Sequence, residues 1–296
     1  MRKKRTVLFI AALMAALCAA GCGAGEEETR SAPKEDTAIL VVSFGTSYNA
    51  SRELTIGAIE KAVGEAFPDY PVRRAFTSQI IIDKLKKRDG LVIDNVEEAL
   101  ERAAADGIKN LIVQPTHLMD GYEYDDVANA LKDYEGKFAK IALGKPLLSD
   151  DADFDAAIKA ITAKTASYDD GETAVCFMGH GTEDDANGVY AKMQEKLEEA
   201  GYGNYYIGTV EAEPTLDSVL ESMGGNHNYK KVVLEPLMIV AGDHANNDMA
   251  GDEEDSWKSI IEGKGYQVEC ILEGLGQIPA IRDIYVGHVR AALESM

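Results

Sequence analysis

The stretch Ala174-Val-Cys-Phe-Met178 is an unbroken apolar run that ends abruptly in Gly179-His180-Gly181. This form reads as a buried strand delivering one histidine into a tight turn. Glycine on both sides leaves clearance for a ligand against the backbone and permits unusual backbone angles. Two later stretches run the same way, from strand to metal-ligand type: Tyr205-Tyr-Ile-Gly-Thr-Val-Glu211, and Val232 through Asp243-His244. The first half of the chain carries a counterpart. Val42-Ser-Phe-Gly-Thr46 aligns with Met178-Gly-His-Gly-Thr182, and Leu111-Ile-Val-Gln-Pro115 with Val232-Val-Leu-Glu-Pro236, so that Gly121 falls on Gly242. On this register Phe44 matches His180 and Glu123 matches His244. A duplicated lobe follows from such internal similarity.

The pattern between these runs alternates. In the first half, strands are expected at 38–44, 70–76, 110–114 and 138–143, and helices at 50–67, 79–87, 96–105 and 125–134. The second half repeats the scheme, with strands at 173–178, 204–209, 231–235 and 266–272. Its helices are expected at 153–166, 186–200, 215–223, 253–262 and 278–293. Continuous apolar strands suit sheets covered on both faces. The fold class is therefore α/β, two similar doubly wound parallel-sheet lobes with an active-site cleft between them. The lobes are expected at 37–147 and 148–296, joined through the linker Gly144-Lys-Pro-Leu-Leu-Ser-Asp150.

The amino terminus belongs to neither lobe. Arg2-Lys3-Lys4-Arg5, a short apolar run to Leu17 and Ala19-Ala20-Gly21-Cys22 together resemble a bacterial lipoprotein signal over 1–22, with Cys22 the residue to be lipidated. Ala19 stands where that pattern has leucine, and an ordinary cleaved signal is the alternative. Residues 23–36 are polar and glutamate-rich, as in a flexible tether. An exported, periplasmic or cell-surface protein follows, touching the membrane only through a lipid at Cys22. The net charge of −21 becomes −25 once the signal's four basic residues are removed. That excludes nucleic acid as a partner, since phosphate binding needs a basic face. It also means that an anionic ligand must find a local cationic patch. A homo-oligomer is compatible with the sequence. Cys176 and Cys270 sit in strand-like runs and are expected to be buried thiols.

His180, Glu211 and His244 are 31 and 33 residues apart, roughly one strand–helix unit each. Successive units of one parallel sheet would set all three side chains on the same edge. Two imidazoles and a carboxylate suit a divalent transition ion with open coordination positions. From spacing alone, three separate structural roles remain the alternative.

Taken together, Val41-Val-Ser-Phe-Gly-Thr-Ser47, Gln114-Pro-Thr-His117, Gly121-Tyr-Glu-Tyr124, Met178–Thr182, Gly208-Thr-Val-Glu211 and Pro236–Asn246 make the chain resemble the class II tetrapyrrole chelatases. The likeness is greatest to the anaerobic cobaltochelatases of the CbiK type. It covers about residues 37–293. The resemblance implies an enzyme, a metal chelatase that inserts Co²⁺ into sirohydrochlorin or its reduced precursor (precorrin-2) in anaerobic cobalamin synthesis. It also implies that His180, Glu211 and His244 are the metal ligands and catalytic residues. Fe²⁺ and Ni²⁺ suit the same ligand set.

For the tetrapyrrole, Phe44, His117, Tyr122, Tyr124, Arg73 and Arg74 are the candidate contacts. Lys84, Lys86, Lys87 and Arg88 extend the basic cluster. His117 either meets the macrocycle, ligates a haem, or caps a turn. His227 and His288 are read as incidental, and the acidic run 252–255 as a helix N-terminus favoured by its dipole. Export is unexpected for cobalamin synthesis. Two further readings therefore stand beside the enzyme: an exported haem- or tetrapyrrole-binding protein, and a metal-delivery lipoprotein.

Overall fold

Strand β1 (Thr37–Ser43) is buried along its whole length, as an apolar run covered on both faces must be. The computed structural model describes residues 36–225 and 229–296, all within one compact unit. The signal segment, Cys22, the tether up to residue 35 and His227 lie outside the described residues. A helix follows β1 in three pieces: α1 (Asn49–Arg52), a π-helical turn (Glu53–Gly57) and α2 (Ala58–Ala66). Then come β2 (Val72–Phe76), α3 (Gln79–Asp89), α4 (Val96–Ala105), β3 (Asn110–Pro115), α5 (Tyr122–Lys132) and β4 (Lys140–Leu143).

The second half comprises α6 (Asp151–Thr165), β5 (Thr173–Gly179), α7 (Gly188–Glu199), β6 (Tyr205–Thr209), α8 (Leu216–Gly224) and β7 (Lys231–Pro236). It closes with α9 (Trp257–Gly263), β8 (Gln267–Cys270) and α10 (Pro279–Glu294). Caps fix several boundaries. Asn95 and Asp150 each close a reciprocal capping box with the residue three positions on. One expected boundary is wrong. The acidic run 252–255 precedes a helix rather than opening it, because the Ser256 hydroxyl accepts from Ser259 N–H and starts α9 at Trp257.

Each half makes one parallel four-stranded sheet, in the orders β2-β1-β3-β4 and β6-β5-β7-β8. The registers repeat as well. Val42 pairs with Pro115 in the first sheet and Met178 with Pro236 in the second. Gly45 and Gly181 occupy matching places, with φ of 99° and 86°. The internal duplication read from the sequence is thus a duplication of fold.

Side-chain alternation along the central strands divides the core. Ala38, Leu40 and Val42 pack under α4 and α5, while Ala174, Cys176 and Met178 pack under α8 and α9. The opposite faces, Ile39 and Val41 of β1 and Val175 and Phe177 of β5, share one continuous cluster with α6 and α10. The last helix therefore belongs to both sheets. Its Tyr285 hydroxyl donates to the Thr116 carbonyl at 2.9 Å. Truncating either fully buried ring, Phe177 or Tyr285, should cost about 3–5 kcal/mol, read as a lower midpoint in denaturant.

His288, expected to be incidental, has a structural role. It is buried on α10, with Nε2 3.0 Å from Asp153 and Nδ1 3.1 Å from the Lys145 carbonyl. It ties the last helix to the linker. Among the described residues the two cysteines, Cys176 and Cys270, are free. Cys176 and Cys270 each pair laterally with Leu234 from opposite sides, so they stand two strand spacings apart, about 9–10 Å and beyond disulfide reach. Cys176 is buried and Cys270 half-buried, and burial pushes both thiols up.

Candidate metal centre

The second sheet reverses its winding between β5 and β7, and ligands of open α/β sheets settle beyond the strand ends at such a point. His180 directly follows β5, and His244 follows β7 at the head of a short helical turn. Glu211 follows β6, the other neighbour of β5. Backbone hydrogen bonds lock the approach, with Glu211 N–H donating to the His180 carbonyl at 2.9 Å and Val210 N–H to the same oxygen at 3.2 Å. The two imidazole centroids are 4.7 Å apart and their planes are nearly perpendicular. One ligand atom from each of His180, Glu211 and His244 lies within 4.8 Å of the others, the one such cluster among the described residues. An ion held at about 2.1 Å from nitrogen and oxygen ligands spans that gap after small side-chain rotations. The His180 and Glu211 side chains are 47% and 54% exposed, so a large partner can reach an ion held there.

One nitrogen of each ring has a protein partner. His180 Nδ1 contacts the Gly181 carbonyl at 2.7 Å, and His244 Nδ1 contacts Asp248 Oδ2 at 2.8 Å. A carbonyl and a carboxylate only accept, so each Nδ1 carries the hydrogen and each Nε2 keeps its lone pair. Asp248 is four residues past His244, inside a π-helical turn (Ala245–Met249). The sequence reading missed it. The signal was a carboxylate following a ligand-type histidine, legible only once the turn is known.

Of the two reasons expected for the glycines flanking His180, the unusual backbone angle holds at Gly181 and the ligand clearance does not. A Cβ on Gly179 would sit 2.2 Å from the Tyr190 ring. Gly181 has positive φ, and a Cβ there would meet Thr209 and Ala212 at 2.8 Å. The clearance is filled by protein rather than left for a ligand.

The first lobe holds no equivalent cluster. Phe44 stands at the place of His180, 49% exposed, and Glu123 at that of His244. His117 does not cap its turn. Both its ring nitrogens are buried without a hydrogen-bond partner, and burial alone pulls its pKa down to about 4, so the ring is neutral. The turn is held instead by its backbone carbonyl, which accepts from Leu147 N–H at 2.9 Å. Tyr122 is 57% exposed at the start of α5, whereas the Tyr124 hydroxyl is bound to the Gly144 carbonyl at 3.3 Å. Arg73 and Arg74 do not supply free positive charge. Arg73 pairs with Asp106 at 2.6 Å, and Arg74 grips both oxygens of Glu60 at 2.6 and 2.5 Å.

A duplicated parallel α/β fold with two imidazoles and a carboxylate converging at strand ends has the donor set a metal chelatase needs, on an accessible face. SirB from Bacillus subtilis, solved with Fe³⁺, superposes at a TM-score of 0.59 over 88% of this chain and 97% of its own, at 16% identity. CbiX, described as the terminal enzyme of sirohaem biosynthesis in denitrifying bacteria, reaches 0.51 over 86% and 99%, also at 16%. At these identities the likeness is one of fold. The cobalt chelatase (CbiK) family profile matches residues 37–294. The chain is 39% identical over 256 residues to the sirohydrochlorin cobaltochelatase of Salmonella typhimurium, covering 86% of this chain and 96% of that protein. It is 33% identical over 269 residues to sirohydrochlorin cobaltochelatase CbiKC of Nitratidesulfovibrio vulgaris, covering 89% and 93%. The chain belongs to the CbiK cobalt chelatase family.

Proposed function

We propose that this protein is a sirohydrochlorin cobaltochelatase, a lyase-class metal chelatase that places Co²⁺ in the macrocycle for anaerobic cobalamin synthesis. The observation that carries the reading is the convergence of His180, Glu211 and His244 in a chain of this family. Co²⁺ is a substrate here, and must be held firmly enough to lose water yet weakly enough to be handed on. Nitrogen and oxygen ligands meet that need better than thiolates. Insertion exchanges two pyrrole N–H protons for one dication. The Nε2 lone pairs of His180 and His244 and the Glu211 carboxylate hold the ion from one side, and as it leaves they become free to take up the released protons. The macrocycle then meets the metal face of the second lobe opposite the apolar side chain of Phe44. Fe²⁺ and Ni²⁺ are accepted by the same donor set, with discrimination resting on supply.

Metal-insertion turnover, followed by the change in tetrapyrrole absorption and run beside variants of the triad, tests the reading. Apo-protein that binds sirohydrochlorin and Co²⁺ but never joins them would refute it.

Asp248 is the outer partner of a metal histidine and fixes its ring and tautomer. Asp248→Ala should weaken Co²⁺ binding about 10–100-fold, with Asp248→Asn between the two because its amide oxygen can still accept from Nδ1. Titration of the Co²⁺ visible spectrum measures this, and unaltered affinity in both variants would remove the role.

The export reading is likewise proposed on the sequence of residues 1–22 alone, with a lipid on Cys22. Mass spectrometry of the mature amino-terminal peptide decides it. An exported haem carrier would show a Soret band on purification, and its absence removes haem from consideration.

A further inference from the structure

Arg73 and Arg74 spend their charge on Asp106 and Glu60, but Arg52 does not. Among the described residues it has no carboxylate within 4.0 Å. Its Nη1 donates to the Asn49 side-chain oxygen at 2.9 Å and to the Thr46 carbonyl at 3.4 Å. Arg88 Nη2 donates to the same Asn49 oxygen at 2.6 Å. One neutral oxygen thus gathers two guanidiniums. Burial, then the nearby charges of Arg74 and Arg88, pull the Arg52 pKa down, opposed by Asp89 and Glu53. Asp89 is already held through both oxygens by Arg88, at 2.8 and 2.6 Å. Arg52 is therefore a guanidinium with no directly paired carboxylate in a chain of net charge −21.

This corner adjoins the metal loop. The Tyr48 hydroxyl donates to Asp243 Oδ1 at 3.4 Å, Ala241 N–H donates to Ser51 Oγ at 3.0 Å, and a Cβ on Gly242 would lie 3.5 Å from Thr46 Oγ1. All three contacts join the segment carrying Arg52 to the loop carrying His244. Helix α3 supplies the adjoining surface. Ile80, Lys84 and Arg88 recur every four residues and share one face. Ile80 is 79% exposed, and α3 begins where Ser78 N–H donates to the Phe44 carbonyl at 3.2 Å. The surface therefore grades from apolar, at Phe44 and Ile80, to cationic, at Lys84 and Arg52, while Arg88 is held by Asp89. A tetrapyrrole carries the same gradient, from an apolar ring to a rim of carboxylates.

We infer that Arg52, backed by Lys84, binds a rim carboxylate of the tetrapyrrole while Phe44 and Ile80 lie against its ring. The inference rests on the tetrapyrrole reading above. A charged hydrogen bond of this kind sets about a tenfold to hundredfold difference in affinity.

Sirohydrochlorin binding by the full chain, read from tetrapyrrole absorbance without metal, should weaken by that factor in Arg52→Gln and by less in Arg52→Lys. Co²⁺ affinity should not change in either. Raising salt should weaken wild-type binding more steeply than binding by Arg52→Gln. Wild-type affinity in a folded Arg52→Gln chain would overturn the subsite and leave the chelatase reading standing. If the wild-type chain binds no sirohydrochlorin, both fall. Thermal melting of each variant, with Arg52→Lys as the conservative partner, separates lost contact from lost fold.

Discussion

Replacing His180 with alanine should abolish Co²⁺ insertion while leaving the fold in place. The ring is the sole histidine contributed by β5, and the ion would be left with one imidazole and one half-exposed carboxylate. Loss of a direct ligand should exceed the about 10–100-fold that loss of an outer partner costs, so Co²⁺ affinity should fall by more than in Asp248→Ala. Stability should move by no more than about 0.5 kcal/mol, since a half-exposed side chain outside the core is removed. The Gly179–Gly181 turn is held by Tyr190 and by backbone bonds to Glu211 and Val210, none of which uses the His180 ring. Turnover, Co²⁺ titration and thermal melting on the same preparation provide the measurement. A variant that still metalates sirohydrochlorin at the wild-type rate would end the assignment of the triad.

A pH-dependent loss of stability is expected from Lys164→Ala. Glu235 sits on β7 with its side chain fully buried, and Lys164 from α6 is its charge partner, also 3.0 Å from Glu273. The second Glu235 oxygen has no hydrogen-bond partner. Removing the lysine strands a buried carboxylate, which costs about 3 kcal/mol. Burial first, and Glu273 to a lesser degree, raise the Glu235 pKa above its ordinary 4.5, while Lys164 draws it down. For an acid raised in the folded state, the associated stability is complete below the ordinary value and is lost as pH climbs through the raised one. Without Lys164 the folded value rises further. The deficit of Lys164→Ala relative to wild type should be greatest near pH 8 and shrink toward about pH 5.

The first lobe shows how to relieve that deficit. Gln114 holds the matching place on β3, and its amide donates to the Pro115 and Lys145 carbonyls, both at 2.8 Å. Glu235→Gln in the Lys164→Ala background should recover much of the loss. Denaturant midpoints across pH measure both effects, and a deficit that does not vary with pH would show that lost packing of the lysine stem, rather than charge, is responsible.

The triad was legible because each ligand follows an apolar strand with little intervening chain, so strand order alone sets it on one sheet edge. The basic residues were not legible. Arg73 and Arg74 belong to the densest basic cluster in the sequence, yet their partners in space, Asp106 and Glu60, come from the end of a later helix and from an earlier one and cancel them. Arg52 has no basic neighbour in sequence and stays unpaired, because among the described residues no carboxylate lies within 4.0 Å of it. His288 has no motif around it, and its bridge joins the linker and α6 to a helix more than a hundred residues on. Asp248 was hidden for a local reason: a π turn, not predictable from apolar period, aims it at His244.

By itself, then, the sequence determined the duplicated α/β architecture, its parallel sheets and the convergence of His180, Glu211 and His244. Those depend on the period of apolar residues and on where glycine and proline interrupt it, and both are local properties of the chain. The tertiary structure alone decided which charges stay free, which histidines serve packing, and that α10 closes a core shared by both sheets. Such outcomes depend on partners distant in sequence, and burial and Coulomb energy act on distance in space.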